Sequence, residues 1–223
     1  LDYTITFLND SSAHAIDIVD IGMPNNDYDL KSISGEIGGV KISKITNSDV
    51  VSPGISLYLD ANEIPAGGRG TVHVYVGKVA NVLYPVTQQE SEEYASLMFS
   101  PHWYDSANAH GKTNMQVTLL LPAGMTEQEP RYYTPQGGWP GSDQPESQIM
   151  ADGRIFYTWV SDQANDYTQY TFGASFPARY LNPGVIVTTP YEPPSGGSSG
   201  GTSGINLCGV VFFIGFFGFF GLV

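Results

Sequence analysis

The sequence predicts an all-β protein: one or two β-sandwich (Ig-like) domains, then a flexible Gly/Ser linker, then a C-terminal transmembrane helix. Three observations carry this reading. Short runs of alternating apolar and polar residues recur from Tyr3 to Val187, the period of half-buried strands. Clusters of Asn, Asp, Ser, Gly and Pro separate those runs at the spacing usual in sandwiches. From Pro193 the composition shifts, first to Gly and Ser and then to a stretch without any charge.

In the first half, Tyr3-Thr-Ile-Thr-Phe7 alternates, as does Ala15-Ile-Asp-Ile-Val-Asp-Ile21. Gly39-Val-Lys-Ile-Ser-Lys-Ile45 places Val40, Ile42 and Ile45 near one face of a strand. Ile55-Ser-Leu-Tyr-Leu59 and Thr71-Val-His-Val-Tyr-Val76 are clean period-two runs. Turns are expected at Asn9–Ser12, Pro24–Asp27, Ser52–Gly54 and Pro65–Gly70.

Residues 81–95 lack a strand pattern. Gln88-Gln-Glu-Ser-Glu-Glu-Tyr-Ala-Ser-Leu-Met98 is rich in helix formers and is expected to form one short helix at the boundary between halves. Beyond it, strands are expected at Leu97–Ser100, Met115–Pro122, Arg154–Val160 and Tyr167–Phe176, with a closing strand at Pro183–Val187. Thr134–Ser147 holds so many Gly and Pro residues that irregular structure is expected throughout. The division is therefore 1–88 and 89–192 for two sandwich domains, 193–204 for the linker and 205–223 for the span. The halves share a faint phrase: Phe7…Ile21-Gly-Met-Pro24 is laid out like Phe99…Leu121-Pro122. The phrase alone does not establish a repeat.

Pro193-Pro-Ser-Gly-Gly-Ser-Ser-Gly-Gly-Thr-Ser-Gly204 has the composition of flexible coil. Ile205–Val223 is nineteen uncharged residues. At about 1.5 Å per residue a helix of that length matches the hydrocarbon layer of a bilayer. Gly215, Gly218 and Gly221 form a narrow track on such a helix, the other faces being lined with Phe. A track of small residues lets two membrane helices approach closely. The expected partners are other membrane-protein helices or a second copy of the chain. A preceding export signal and sequence beyond Val223 are also expected, because basic residues usually flank a span on its cytoplasmic side.

The charge balance narrows the partners. Asp and Glu number 22 against 9 Lys and Arg, a net charge of −13. No two basic residues are adjacent, so no patch exists for a phosphate backbone, and nucleic acid is not an expected partner. Cys208 is the sole cysteine, which excludes an intrachain disulfide and a Cys-based zinc cage. No Walker A or Gly-x-Gly-x-x-Gly pattern occurs, and no cofactor is expected.

Four groups of residues are candidate sites. Arg131, Tyr132, Tyr133 and Trp139 surround a Gly-rich loop, and exposed aromatics there suit stacking on a carbohydrate or a peptide. That reading requires Trp139 to be exposed; otherwise the indole folds back over the core. Asn25, Asp27, Asp29 and Glu36 fall at positions 1, 3, 5 and 12 of a calcium-loop spacing. Leu30 stands where that loop needs Gly, so a solvated turn is the better account. His102, Asp105 and His110 lie close enough in sequence to ligate a metal, without a recognised spacing. A Ser/His/Asp hydrolase would need one of these histidines beside a nucleophile, and no Gly-x-Ser-x-Gly elbow is present. Asn9-Asp-Ser11 matches a glycosylation acceptor. The function expected from this balance is a membrane-anchored, non-enzymatic interaction module whose ectodomain lies outside the cell or in the periplasm. It would serve as an accessory subunit of a membrane complex or as a surface scaffold. The alternatives are a carbohydrate- or peptide-binding module and an exported hydrolase.

Overall fold

A computed structural model describes residues 1–86 and 92–187. Within them the protein is predominantly β, arranged as four antiparallel sheets. The expected linker (193–204) and span (205–223) lie outside the described residues, as do Gly215, Gly218 and Gly221. Among the described residues no helix is long and apolar enough to cross a membrane.

The first half supplies β1 (Asp2–Leu8), β2 (Ile18–Gly22), β3 (Ile33–Ile37), β4 (Val40–Lys41), β5 (Lys44–Asn47), β6 (Gly54–Tyr58) and β7 (Arg69–Val76). One sheet runs in the order β1-β7-β3-β4 and a second in the order β2-β6-β5. The alternation on β7 sets the inner face, with Val72, Val74 and Val76 buried between half-exposed Thr71, His73 and Tyr75. Ile21, Ile55 and Leu57 are buried on the second sheet. Gly35 of β3 marks where the sheets meet: a Cβ there would lie 2.8 Å from Leu57 Cδ2. The inward position is therefore filled from across the core, and only a glycine fits.

The second half supplies β8 (Tyr84–Pro85), β9 (Tyr94–Phe99), β10 (Thr113–Leu120), β11 (Arg131–Gln136), β12 (Glu146–Ile149), β13 (Ile155–Ala164) and β14 (Thr171–Pro177). Its sheets run β11-β14-β9-β8 and β10-β13-β12. Strand β14 is buried along its whole length between two neighbours, and Gly173, Ala174 and Ser175 keep it thin enough to sit there. The core is a chain of rings. Trp139 meets Tyr170 and Phe172 edge-on, Phe172 meets Trp159, Trp159 meets Tyr157, and Tyr157 meets Tyr132.

The halves have the same topology. In the first, β1 pairs β7, β7 pairs β3, β2 pairs β6 and β6 pairs β5. In the second, β9 pairs β14, β14 pairs β11, β10 pairs β13 and β13 pairs β12. These are the same six strands in the same chain order, all antiparallel. The halves differ in one added strand, β4 on β3 in the first and β8 on β9 in the second. The faint phrase in the sequence maps onto this correspondence: Phe7 lies on β1 and Phe99 on β9, while Ile21 lies on β2 and Leu121 directly follows β10.

Several expectations are corrected. Tyr94–Met98 is strand, not helix, because its alternation of half-buried and buried residues fits the edge of β14. Gln88–Ser91 lies outside the described residues. The single strand expected over 39–45 is two, since the chain passes from one sheet to the other at Ile42 and leaves Val40 50% exposed. Thr134–Ser147 is irregular only from Gly137 to Pro145, being flanked by β11 and β12. Pro135 is tolerated because β11 is an edge strand with a shifted register at that point. The expected closing strand is one bridge, Ile186 to Leu83.

Candidate functional site

The loop after β11 does not present its tryptophan. Trp139 is 8% exposed and packs edge-on against Tyr170 and Phe172 at 5.2 and 4.9 Å. Its indole Nε1 is buried without a hydrogen-bond partner among the described residues. Of the two outcomes set out for Trp139, the indole takes the fold-back over the core and not the exposure that stacking on a ligand requires: aromatic burial outweighs display, and Gly137 and Gly138, at φ +82° and +70°, turn the chain inward. Arg131 and Tyr132 reach the surface, while Tyr133 is half-buried. Arg131 stacks 5.0 Å over the Tyr94 ring, and Tyr132 is exposed at one edge while leaning on Tyr157. The Tyr133 hydroxyl donates to Ser96 Oγ at 3.2 Å.

The acidic run after Met23 serves several separate bonds. Asn25 donates to the carbonyls of Ala80 and Asn81, and its Oδ1 accepts from the Asp27 N–H. Asp27 Oδ2 accepts from Asn81 Nδ2 at 2.7 Å. Asp29 caps a short 3-10 turn, Leu30–Ser32, by accepting from the Lys31 N–H. Glu36 lies on β3, where its register partner is His73, 3.9 Å away between Oε1 and Nδ1. Asn25 and Asp27 thus meet around Asn81, while Asp29 and Glu36 each serve a different element. Among the described residues no three of His, Cys, Asp and Glu gather as a metal would need.

Beside this turn is an open cleft of about 550 Å³, lined among others by Tyr28, Asp29, Lys31, Asn47 and Ser52. The Tyr28 hydroxyl is already engaged, donating to Asn47 Oδ1 and the Gly54 carbonyl. The lining mixes amide and hydroxyl groups with apolar Leu30, Val51 and Pro53, and carries one carboxylate and one ammonium.

The densest polar arrangement lies where the halves meet. After β9 the chain runs through His102-Trp103-Tyr104 across the end of β2. The Gly22 N–H donates to His102 Nδ1 at 2.8 Å. His102 packs edge-on against Tyr104 at 4.8 Å, and Tyr104 against Phe7 of β1 at 5.7 Å. The Tyr3 ring meets Phe99 at 6.3 Å. The Tyr104 N–H donates to the Asp166 carbonyl, tying the segment to the turn between β13 and β14. Burial pushes the His102 imidazole down to about 4, with Asp20 pulling weakly the other way. Burial also pushes the Tyr3 and Tyr104 hydroxyls well above the usual phenol range.

Close by, Asp20 Oδ1 accepts from Ser48 Oγ at 2.6 Å and from Ser56 Oγ at 2.5 Å. Serine, aspartate and histidine are thus neighbours, but in the wrong order for nucleophilic catalysis. A catalytic serine needs an imidazole nitrogen as its base, with the carboxylate behind the ring. Here both serines bond the carboxylate directly, and His102 Nδ1 faces a backbone N–H. Asp105 Oδ1 accepts from the Ala107 N–H in a local turn, so it does not join His102. The arrangement clasps β2, β6 and the turn at Ser48. Asp20→Ala is expected to destabilise the protein by about 1–3 kcal/mol, because it leaves the buried Ser56 hydroxyl without its acceptor. Urea titration of the variant against the parent chain checks this.

The glycosylation pattern is likewise spent on structure. Asn9 Nδ2 donates to the carbonyls of His14 and Ile64, at 2.8 and 3.1 Å, and so holds the turn that follows β1.

Sequence reasoning named His102 as a metal candidate and missed its place between the halves. The signal was the density of aromatics around it, which marks a packed joint as readily as a site. No protein-family model matches the chain, and the search of curated proteins returns no match.

Proposed function

We propose that the protein is a membrane-anchored, non-enzymatic interaction module. Two β-sandwiches in tandem, divided near residue 88, form its ectodomain. The Gly/Ser segment at 193–204 tethers them to a helix at 205–223, and the ectodomain faces the extracellular or periplasmic side. The observation that carries this reading is the use of one six-strand topology twice in a chain that then turns into linker and uncharged stretch. Repeated β units stacked on a tether set a reach and a surface rather than a reaction centre. The direct Ser–Asp bonds and the backbone-engaged His102 support the same view, since each group is occupied in holding strands together. A net charge of −13 keeps such a surface soluble and away from anionic headgroups.

Assembly would run through the track of Gly215, Gly218 and Gly221, against another membrane helix or a second copy. The native mass in mild detergent tests this. A particle well above the 24.1 kDa chain plus its micelle is expected, reduced to a monomer by Gly218→Ile. A parent chain that is already monomeric overturns the reading and returns weight to a ligand at Arg131, Tyr132 and Tyr133 or in the cleft beside Tyr28.

A further inference from the structure

We propose that His102 is an acid-released catch between the two halves of the chain. Its Nδ1 accepts the Gly22 N–H from the end of β2, so the neutral ring carries its proton on Nε2. Protonation would place an N–H on Nδ1, facing the Gly22 N–H across 2.8 Å. Two donors at that separation repel, and the ring must leave. A Cβ built on Gly22 would lie 3.2 Å from His102 Nδ1 and 3.7 Å from Val51, so ring, strand end and turn are already in contact.

The consequence spreads through the rings. Tyr104 leans on His102 from one side and on Phe7 of β1 from the other. When the imidazole swings out, Tyr104 loses its support, and the contact between the 102–104 segment and the first half opens.

The charged groups around the ring come from several elements. Asp20, on β2, favours the imidazolium, but its Oδ1 is held by Ser48 and Ser56. The turn at Ser48 approaches through Val51, and its Asp49 is exposed. Tyr104 belongs to the same segment, and Tyr3 and Asp166 lie around the Tyr104 hydroxyl. Burial outweighs the Asp20 charge, so the ring stays neutral in the closed joint down to about 4, against 6.5 when free. The sign follows. Between those two values the opened joint binds a proton that the closed joint does not, so the ring's contribution to closure is fully present above the upper value and is lost as pH falls towards the lower. This device is independent of the membrane reading: it needs only the two halves.

The test is amide hydrogen exchange and histidine NMR on the full chain in mild detergent, from about pH 7.5 to about pH 4. Exchange at Gly22 and through 102–104, corrected for intrinsic rate, is expected to accelerate about tenfold or more at the acid end. His102→Asn, whose Oδ1 stands where the ring carries Nδ1 and can accept the same N–H, should hold these protections flat across the range. The His102 ring in the parent chain should titrate well below a free imidazole, towards about 4. Equal acid loss of protection in the parent and His102→Asn overturns the proposal. So does a His102 titration at the free-imidazole value of 6.5, a readout that stands even where the variant fails to fold.

Discussion

Trp139→Ala is expected to destabilise the protein by about 3–5 kcal/mol, the cost of emptying a large aromatic site in a packed core. The indole fills the space between Tyr170 and Phe172, and Phe172 in turn supports Trp159, which is 1% exposed. Removing one ring therefore loosens a chain of four. Trp139→Phe separates the two contributions of the side chain. Its Nε1 donates to no described residue, so the benzyl ring loses area but no hydrogen bond, and a cost of about 1 kcal/mol is expected. Tyr132→Ala, at a residue 36% exposed, should cost less than Trp139→Ala. Equilibrium urea unfolding of the three variants reads this order directly. A Trp139→Ala chain as stable as the parent would mean that the indole is not held in the core, and would restore it to the recognition loop.

Legibility of the fold depended on what each strand uses to fill its inner face. Strands β1, β6 and β7 put Ile, Val, Leu or an aromatic at every second position of their apolar stretch, and β10 and β13 do the same with Met115, Val117 and Leu119 and with Ile155, Tyr157 and Trp159, so alternation marks them plainly. Strand β3 was missed because its central inward residue is Gly35, whose volume is supplied by Leu57 and Ile42 from elsewhere. No scale of hydrophobicity sees a side chain borrowed from another strand. Strand β12 was missed for the opposite reason: all four of its residues are exposed, and it exists only as a backbone partner for β13. The helix expected at 88–98 rested on local propensity, which pairing with β14 overrides across Tyr94–Phe99.

The site was less legible than the fold, because the chemistry of a side chain depends on what has already claimed it. Asp29 and Glu36 have calcium spacing, yet one caps a turn and the other sits across from a histidine. Asn9 has the acceptor pattern, and its amide is bound to two carbonyls. His102 is the instructive case. Its role requires Gly22, eighty residues earlier, and nothing local to His-Trp-Tyr-Asp announces that partner. The topological repeat, by contrast, left a trace in the sequence. Phe7 and Phe99 lie near the ends of the corresponding first strands, although the two halves fill their cores differently, one with Val and Ile and the other with rings.

Gly137→Ala is the second change of large expected effect, and it asks why the loop turns inward at all. Gly137 has φ +82°, and a Cβ there would lie 2.2 Å from the Gln169 carbonyl oxygen. The left-handed backbone costs a side chain about 1–2 kcal/mol, and the clash is with backbone, which cannot rotate away. A total near 3 kcal/mol or more is expected as the turn before Tyr170 is displaced. Gly138 is the internal control. Its φ is +70°, yet nothing lies within 4 Å of its Cβ position, so Gly138→Ala carries the backbone cost alone. Because Gly137 presses on the backbone beside Tyr170, and Tyr170 packs on Trp139, the two large changes share a partner. Gly137→Ala combined with Trp139→Ala should therefore cost less than the sum of the two, by about 1 kcal/mol. Strict additivity would mean that the glycine turn and the tryptophan seat are independent, and that some other contact brings the loop down onto the core.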